Sequence, residues 1–274
     1  MKNIDNSVVS SFGDEWSRFD QTGMSRGEAL TLFDGYFALF PWPNLPEGAE
    51  GFDMGCGSGR WARFVAPRVG KLHCIDPSAA LEVARENLSE FKNIEFHLGS
   101  VDESGLLPSS QDFGYSLGVL HHVPDTAAAI RSCVALLKPG APLLLYLYYA
   151  FDNRSIGYRG LWRISDWMRQ LIMRFPPELK RRITDLLAVM VYWPLARLSK
   201  VLERLGIPIE SVPLSSYRHL SFYTMRTDSR DRFGTPLEQR FTREQIKTMM
   251  LQAGLIDILF SDAVPYWCAV GVKA

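Results

Sequence analysis

The stretch "GFDMGCGSGRW", Gly51 to Trp61, constrains the fold more than any other part of the chain. An apolar run carrying Asp53 passes directly into a turn with glycine at Gly55, Gly57 and Gly59, and the turn opens a helical pattern. Without Cβ atoms such a turn adopts left-handed backbone at little cost and leaves its N–H groups bare, so a ligand can lie against the main chain. Strand, glycine turn and helix make the first half of a βαβ unit, and the rest follows in order. "LHCID" predicts a second strand, "SAALEVARENLSEF" a helix, "IEFHL" a third strand, "FGYSLGV" a fourth, "TAAAIRSCVALL" a helix and "PLLLYLYY" a fifth strand. This alternation demands a parallel sheet with helices on its faces. Further on, "TREQIKTMMLQAG" predicts a helix capped by Thr242 and stopped at Gly254, followed by the strand-like runs "LIDILFS" and "YWCAVGV".

A chain of 274 residues, 47% apolar, fills one large α/β domain with an insertion. Its formal charge of zero leaves no electrostatic footprint for a nucleic-acid partner, and none is expected. Cys56, Cys74, Cys133 and Cys268 lack paired spacing and read as reduced thiols, and "MKNIDNSVVSSFGDEW" lacks the apolar stretch of a signal peptide; a cytoplasmic protein is expected.

Asp76 ends the second predicted strand seventeen residues beyond Gly59, a position where a carboxylate takes both hydroxyls of a ribose. A dinucleotide fingerprint would need glycine where Arg60 stands. The pattern present is G-x-G-x-G preceded by Asp53, where a ligand amine meets a carboxylate. A nucleotide-like cofactor is expected, with an NAD(P)-dependent oxidoreductase as the alternative that Arg60 disfavours.

The run Asp53-Met-Gly55-Cys-Gly57-Ser-Gly59, Asp76, "GSVD" after the third strand, "DFGYSLGVLHHVPD" around the fourth and "LLKPGAPLLL" before the fifth resemble the class I S-adenosylmethionine-dependent methyltransferases. The resemblance is close over residues 50–150 and loose over 241–273. It implies a Rossmann-like, doubly wound α/β sheet of seven strands, the last antiparallel. The core would span 50–150 and 241–274, with N-terminal cap helices over 1–49 and a mainly helical lid over 151–240. The implied cofactor is S-adenosylmethionine. Asp53, Gly55 and Gly57, with Cys56 and Gly59 of the same turn, would hold its methionine part. Asp76 would hold the ribose, Pro77, Ser100 and Val101 would surround the adenine, and Gly118 would border the sulfonium. The acceptor would be a small molecule methylated on oxygen, with His122 as general base and His121 as the other candidate. His73 and His97 read as edge or core residues, no histidine pair has metal-ligand spacing, and no metal is expected.

Residues 153–205 carry eleven Lys/Arg and four Asp/Glu, a charge of +7 against −7 for the remainder. With apolar residues at helical spacing, this insertion reads as amphipathic helices that roof the site or mediate oligomerisation. Contact with an anionic membrane surface, or admission of a lipid-like acceptor, is the less favoured reading. The following stretch, "SSYRHLSFYTMRTDSRDRFGTPLEQRFT", reads as a loop in which Tyr217, Arg218, His219, Tyr223 and Arg226 meet an anionic or aromatic acceptor. The competing reading pairs its arginines with Asp228, Asp231 and Glu238. In "FGDEWSRFD", Phe12, Trp16 and Phe19 share a helical face expected to cover the cofactor. A non-catalytic scaffold that binds cofactor or a membrane partner is the last alternative.

Overall fold

The computed structural model describes residues 3–18 and 23–274; Phe19 lies outside the described residues. The chain forms two compact units. One comprises residues up to 18, 29–150 and 237–274, and the other 23–28 and 151–236. The expected cap over 1–49 is thus divided between them, and residues 237–240, expected in the lid, belong to the first unit.

In the first unit the described residues form a seven-stranded sheet in the order β3-β2-β1-β4-β5-β7-β6. The strands are β1 (Glu50–Met54), β2 (Lys71–Asp76), β3 (Ile94–Leu98), β4 (Phe113–Leu117), β5 (Pro142–Tyr146), β6 (Leu255–Phe260) and β7 (Cys268–Lys273). Strands β1 to β5 run parallel, and β7 is antiparallel to both β5 and β6. The strand order reverses between β1 and β4, which opens a crevice at their carboxyl ends. Reciprocal pairs lock the register there. Gly51 lies opposite Phe113 and Phe52 opposite Gly114, and a Cβ on Gly114 would stand 2.2 Å from the Phe52 ring, one on Gly51 2.3 Å from Phe113.

Helices α1 (Asn6–Arg18), α2 (Arg26–Tyr36), α3 (Ala62–Val65), α4 (Ala80–Asn87) and α5 (Thr126–Leu136) precede the insertion, and α10 (Arg243–Gln252) follows it. The helix expected from "GRWARFVAPRV" is shorter than its pattern. After one turn of α3 the chain tightens into a 3-10 turn, Ala66–Arg68, because Pro67 has no N–H to continue the ladder. Helix α10 starts in a full capping box between Thr242 and Gln245 and stops at Gly254, whose φ is +91°. All four cysteines are buried free thiols.

The second unit is helical: α6 (Ile156–Ile172), α7 (Pro177–Leu187), a π segment (Ala188–Tyr192), α8 (Trp193–Arg204), a 3-10 turn (Ser215–His219) and α9 (Phe222–Gly234). The π segment falls where Pro194 lacks an N–H and would crowd the carbonyl one turn back. Ile172, Tyr192, Ala196, Met225 and Phe233 form the unit's core. Residues 222–234, expected within a loop, form α9, the unit's most buried helix. Ser221 caps it by accepting from the Thr224 N–H, and Ser229 Oγ donates to the Thr184 carbonyl at 2.9 Å. The sequence of α9 lacks an apolar stripe because buried threonines, Ser229 and Arg230 stand where apolar residues would mark a core helix. Among the described residues no helix is long and apolar enough to cross a membrane.

Candidate cofactor site

Strand β1 delivers Asp53 to the crevice, and the chain then turns through Gly55, Gly57 and Gly59 with φ of +81°, +53° and +78°. The turn is pinned to β2 because the N–H groups of Gly55 and Cys56 both donate to the Ile75 carbonyl, at 2.8 and 3.0 Å. Part of the demand for glycine is internal. A Cβ on Gly55 would strike the Val119 side chain at 2.4 Å, and one on Gly59 would strike Leu88 at 2.5 Å. Gly57 is different: its missing Cβ faces the Trp16 indole of α1 at 3.3 Å, so α1 lies over the turn.

Two carboxylates frame this turn. Asp76, at the end of β2, accepts from the Gly57 N–H (2.9 Å), the Ser78 N–H (2.9 Å) and Ser78 Oγ (2.6 Å). Burial nevertheless raises its pKa. Asp53 is 1% exposed, and its Oδ2 has no hydrogen-bond partner among the described residues. Burial pushes its carboxyl up to about 8, the neighbouring Tyr115 hydroxyl opposes that rise, and the charge of Asp76 adds to it. A buried acid with an unmatched oxygen is costly alone and is relieved by a cation. The pattern along the chain did not single out Tyr115 or Ser78. Tyr115 reaches Asp53 only through the β1–β4 register.

Beyond the ends of β2 and β3 lies a cleft of about 580 Å³ lined by Ile4, Asn6, Pro77, Leu98, Ser100 and Glu103. Pro77 and Ser100 thus share one cavity. Val101 is 8% exposed and its side chain belongs to the sheet core instead. Gly118 follows β4 with φ +79° and donates its N–H to the Tyr146 carbonyl at 3.0 Å.

Both histidines of the loop after β4 are buried. The His122 Nδ1–H donates to the Leu237 carbonyl at 2.6 Å, a bond that leaves Nε2 as the basic nitrogen of the neutral ring. Phe12 of α1 stands edge-on to it at 5.0 Å. His121 stacks on Tyr148 at 3.9 Å, and neither of its ring nitrogens has a hydrogen-bond partner among the described residues. Burial first, then His122 and Arg240, hold its pKa well below the usual histidine value. The Gln239 side-chain amide donates to the Val123 carbonyl at 2.7 Å, fastening this loop to the chain that returns to the sheet.

The residues expected to meet the acceptor lie in the second unit, and its own acids engage their charges. Arg218 Nε and His219 Nε2 each meet Glu203 at 2.8 Å, and Arg226 grips Asp185 through two bonds of 2.7 and 2.9 Å. These acids come from α8 and α7, whereas Arg240 pairs with its sequence neighbour Glu238 at 2.7 Å, as the competing reading has it. Tyr217 stands against Tyr192 at 5.4 Å, and the Tyr223 ring occupies the space above Gly23.

Spacing along the chain gave no metal-ligand pattern, yet register assembles one. His73 on β2 and Glu95 and His97 on β3 bring three ligand atoms within 4.8 Å of one another. His73 also meets Glu50 at 2.7 Å, and Lys71 holds Glu95 at 2.7 Å, which places a competing cation at the cluster. His73 is buried and hydrogen-bonded to Glu50 and His97, and His97 lies on the edge strand β3, so the two are core and edge residues as their strand positions imply.

A glycine turn between strand and helix, an unmatched buried acid before it and a second buried acid on the next strand thus come together at the carboxyl end of a doubly wound sheet. The methyltransferase domain family matches residues 52–145, the segment that carries it. Over 101 residues the chain is 36% identical to the ubiquinone biosynthesis O-methyltransferase of Xanthomonas campestris pv. campestris, covering 36% of this chain and 42% of that protein. Over 111 residues it is 32% identical to the enzyme of the same name from Thiobacillus denitrificans, covering 39% and 46%. The chain thus spans less than half the length of these curated relatives. Among solved structures, an S-adenosylmethionine-dependent methyltransferase from Thermotoga maritima shares the fold with a TM-score of 0.52 at 16% identity, covering 97% of this chain and 99% of that one. A chain of the complex between the Haloferax volcanii Trm112 methyltransferase activator and a methyltransferase does so with 0.51 at 16%, over 97% and 99%. Residues 52–145 of this protein are thus a methyltransferase domain of the class I S-adenosylmethionine-dependent superfamily.

Proposed function

We propose that the protein methylates an oxygen of a small-molecule acceptor, with Asp53 binding the cofactor's ammonium and His122 taking the acceptor's proton. The observation that carries this reading is the buried Asp53 oxygen without a partner at the head of the glycine turn. When bound, S-adenosylmethionine supplies an electrophilic methyl group on a sulfonium. The chain's own task is to hold, orient and exclude water, since proximity and alignment account for much of such a rate enhancement. The Gly55–Gly59 turn, free of side chains at three positions, lets the methionine part lie against the main chain, Asp76 offers lone pairs to the ribose diol, and Pro77 and Ser100 flank the base. His122 is oriented by Leu237 in the manner of a general base steered by a third group. An oxygen acceptor is supported by the names of the relatives, which are O-methyltransferases.

Titration calorimetry with S-adenosylhomocysteine should give saturable binding that Asp76→Ala weakens about tenfold. With phenolic acceptors, His122→Ala should lower kcat about 10²-fold and leave cofactor affinity unchanged. Binding of NADH without binding of S-adenosylhomocysteine overturns the cofactor assignment, and equal losses of thermal stability and turnover in His122→Ala overturn the base.

A further inference from the structure

Amphipathic helices ordinarily turn their apolar stripe inward, and α6 turns much of its stripe outward. Ile156, Leu161, Ile164, Trp167 and Leu171 are 81%, 52%, 60%, 67% and 44% exposed. At about 100° per residue they fall within one arc of roughly 140°. Arg169 and Ile172, which fall outside this arc, are the buried residues of this helix. The chain from α7 to the end of α8 repeats the inversion, with Leu186, Met190, Trp193, Val201 and Leu205 between 48% and 67% exposed. Scattered surface leucines need no explanation, but two successive outward stripes expose apolar surface that water does not favour.

Charge identifies what fits that face. Each of the four acids within 153–205 is engaged by a cation of the same unit: Asp166 by Arg169, Glu178 by Arg181, Asp185 by Arg226, and Glu203 by Arg218 and His219. None remains to balance the exposed Arg159, Arg163, Arg182 and Arg204. Arg159 and Arg163 lie along one margin of the α6 stripe. Two such faces from two copies would oppose like charges, whereas an anionic bilayer accepts both the cations and the apolar residues. Exposed Trp167 and Trp193 suit headgroup depth, where indoles are enriched. Helices of 17, 11 and 12 residues lie on a bilayer and do not cross it.

We infer that the α6 and α7–α8 faces dock this protein on an anionic membrane surface. This inference stands on exposure and charge and is independent of which acceptor the enzyme uses.

The test is co-sedimentation of the full chain with vesicles of equal parts phosphatidylcholine and phosphatidylglycerol. Binding is expected at about 0.1 M salt, weakening at least about tenfold at roughly 0.5 M or with phosphatidylcholine alone, because the attraction acts within a Debye length. Arg159→Glu with Arg163→Glu, and separately Trp167→Glu with Met190→Glu, should each weaken binding at least about tenfold while leaving the thermal midpoint within a few degrees. Both pairs alter exposed positions, and S-adenosylhomocysteine binding serves as a check that the methyltransferase domain is intact. Absence of binding to anionic vesicles at low salt overturns the inference, as does binding that neither pair weakens. A dimer in analytical ultracentrifugation that Trp167→Glu dissociates assigns the face to a second copy and overturns it too.

Discussion

Asp53→Asn tests the electrostatics of the cofactor site before any ligand is added. The Asp53 carboxyl rises from an ordinary 3.8 to about 8, chiefly through burial. Between those values the folded protein keeps a proton that the unfolded chain has released. The stability this contributes is fully present below the ordinary value and is lost as pH rises toward and through about 8. Linkage sets the slope at about 1.4 kcal/mol per pH unit, so from pH 5.5 to 7.5 the wild type should lose about 3 kcal/mol on this account. The asparagine variant keeps the shape and cannot ionise, so its stability should not carry that loss. Urea unfolding of both proteins at both pH values gives the double difference, in which other titrating groups cancel. Because the Tyr115 hydroxyl lowers the Asp53 pKa and the Asp76 charge raises it, Tyr115→Phe should move the step to higher pH and Asp76→Asn to lower pH. The same proton must leave when an ammonium is bound. At pH 7, calorimetry of S-adenosylhomocysteine in buffers of differing ionisation enthalpy should therefore report release of about 0.9 proton, lost in Asp53→Asn. A double difference near zero, together with binding that releases no proton at pH 7, would refute a neutral buried Asp53.

Gly59→Ala combines a left-handed φ of +78° with a Cβ 2.5 Å from buried Leu88, and should cost about 2–4 kcal/mol in urea unfolding. Gly140→Ala has a similar φ of +80° but nothing within 4 Å, so it should cost only about 1–2 kcal/mol. Equal costs would deny the packing part at Gly59. Thr242→Ala removes the side-chain half of the α10 capping box and should cost about 1 kcal/mol in the same assay. A loss below about 0.3 kcal/mol would show that water replaces the cap.

What the chain declares by itself is what local physics can encode. The turn from β1 needs glycine for reasons of backbone angle, so its position, the strand before it and Asp53 within that strand are legible in ten residues. The α10 helix is legible for the same reason, since Thr242, Gln245 and Gly254 act on groups three or four residues away. Asp76 was readable because one βα unit spaces it from the turn. Partnerships across strands were not. Tyr115 beside Asp53, and His73 among Glu95 and His97, arise from register between strands, a property absent from any single segment. The α9 helix was hidden because its buried residues are largely polar and are satisfied by other helices, as Ser229 is by the Thr184 carbonyl. The arginines divide in the same way: Arg240 pairs with Glu238, two residues away and legible in the sequence, while Glu203 and Asp185 reach Arg218 and Arg226 only through folding. The amphipathic period of α6 showed that one face would be apolar, but a period has no sense of inside or outside. Only the tertiary structure turned that face toward solvent, because α6 joins the unit through residues outside it, Arg169 and Ile172.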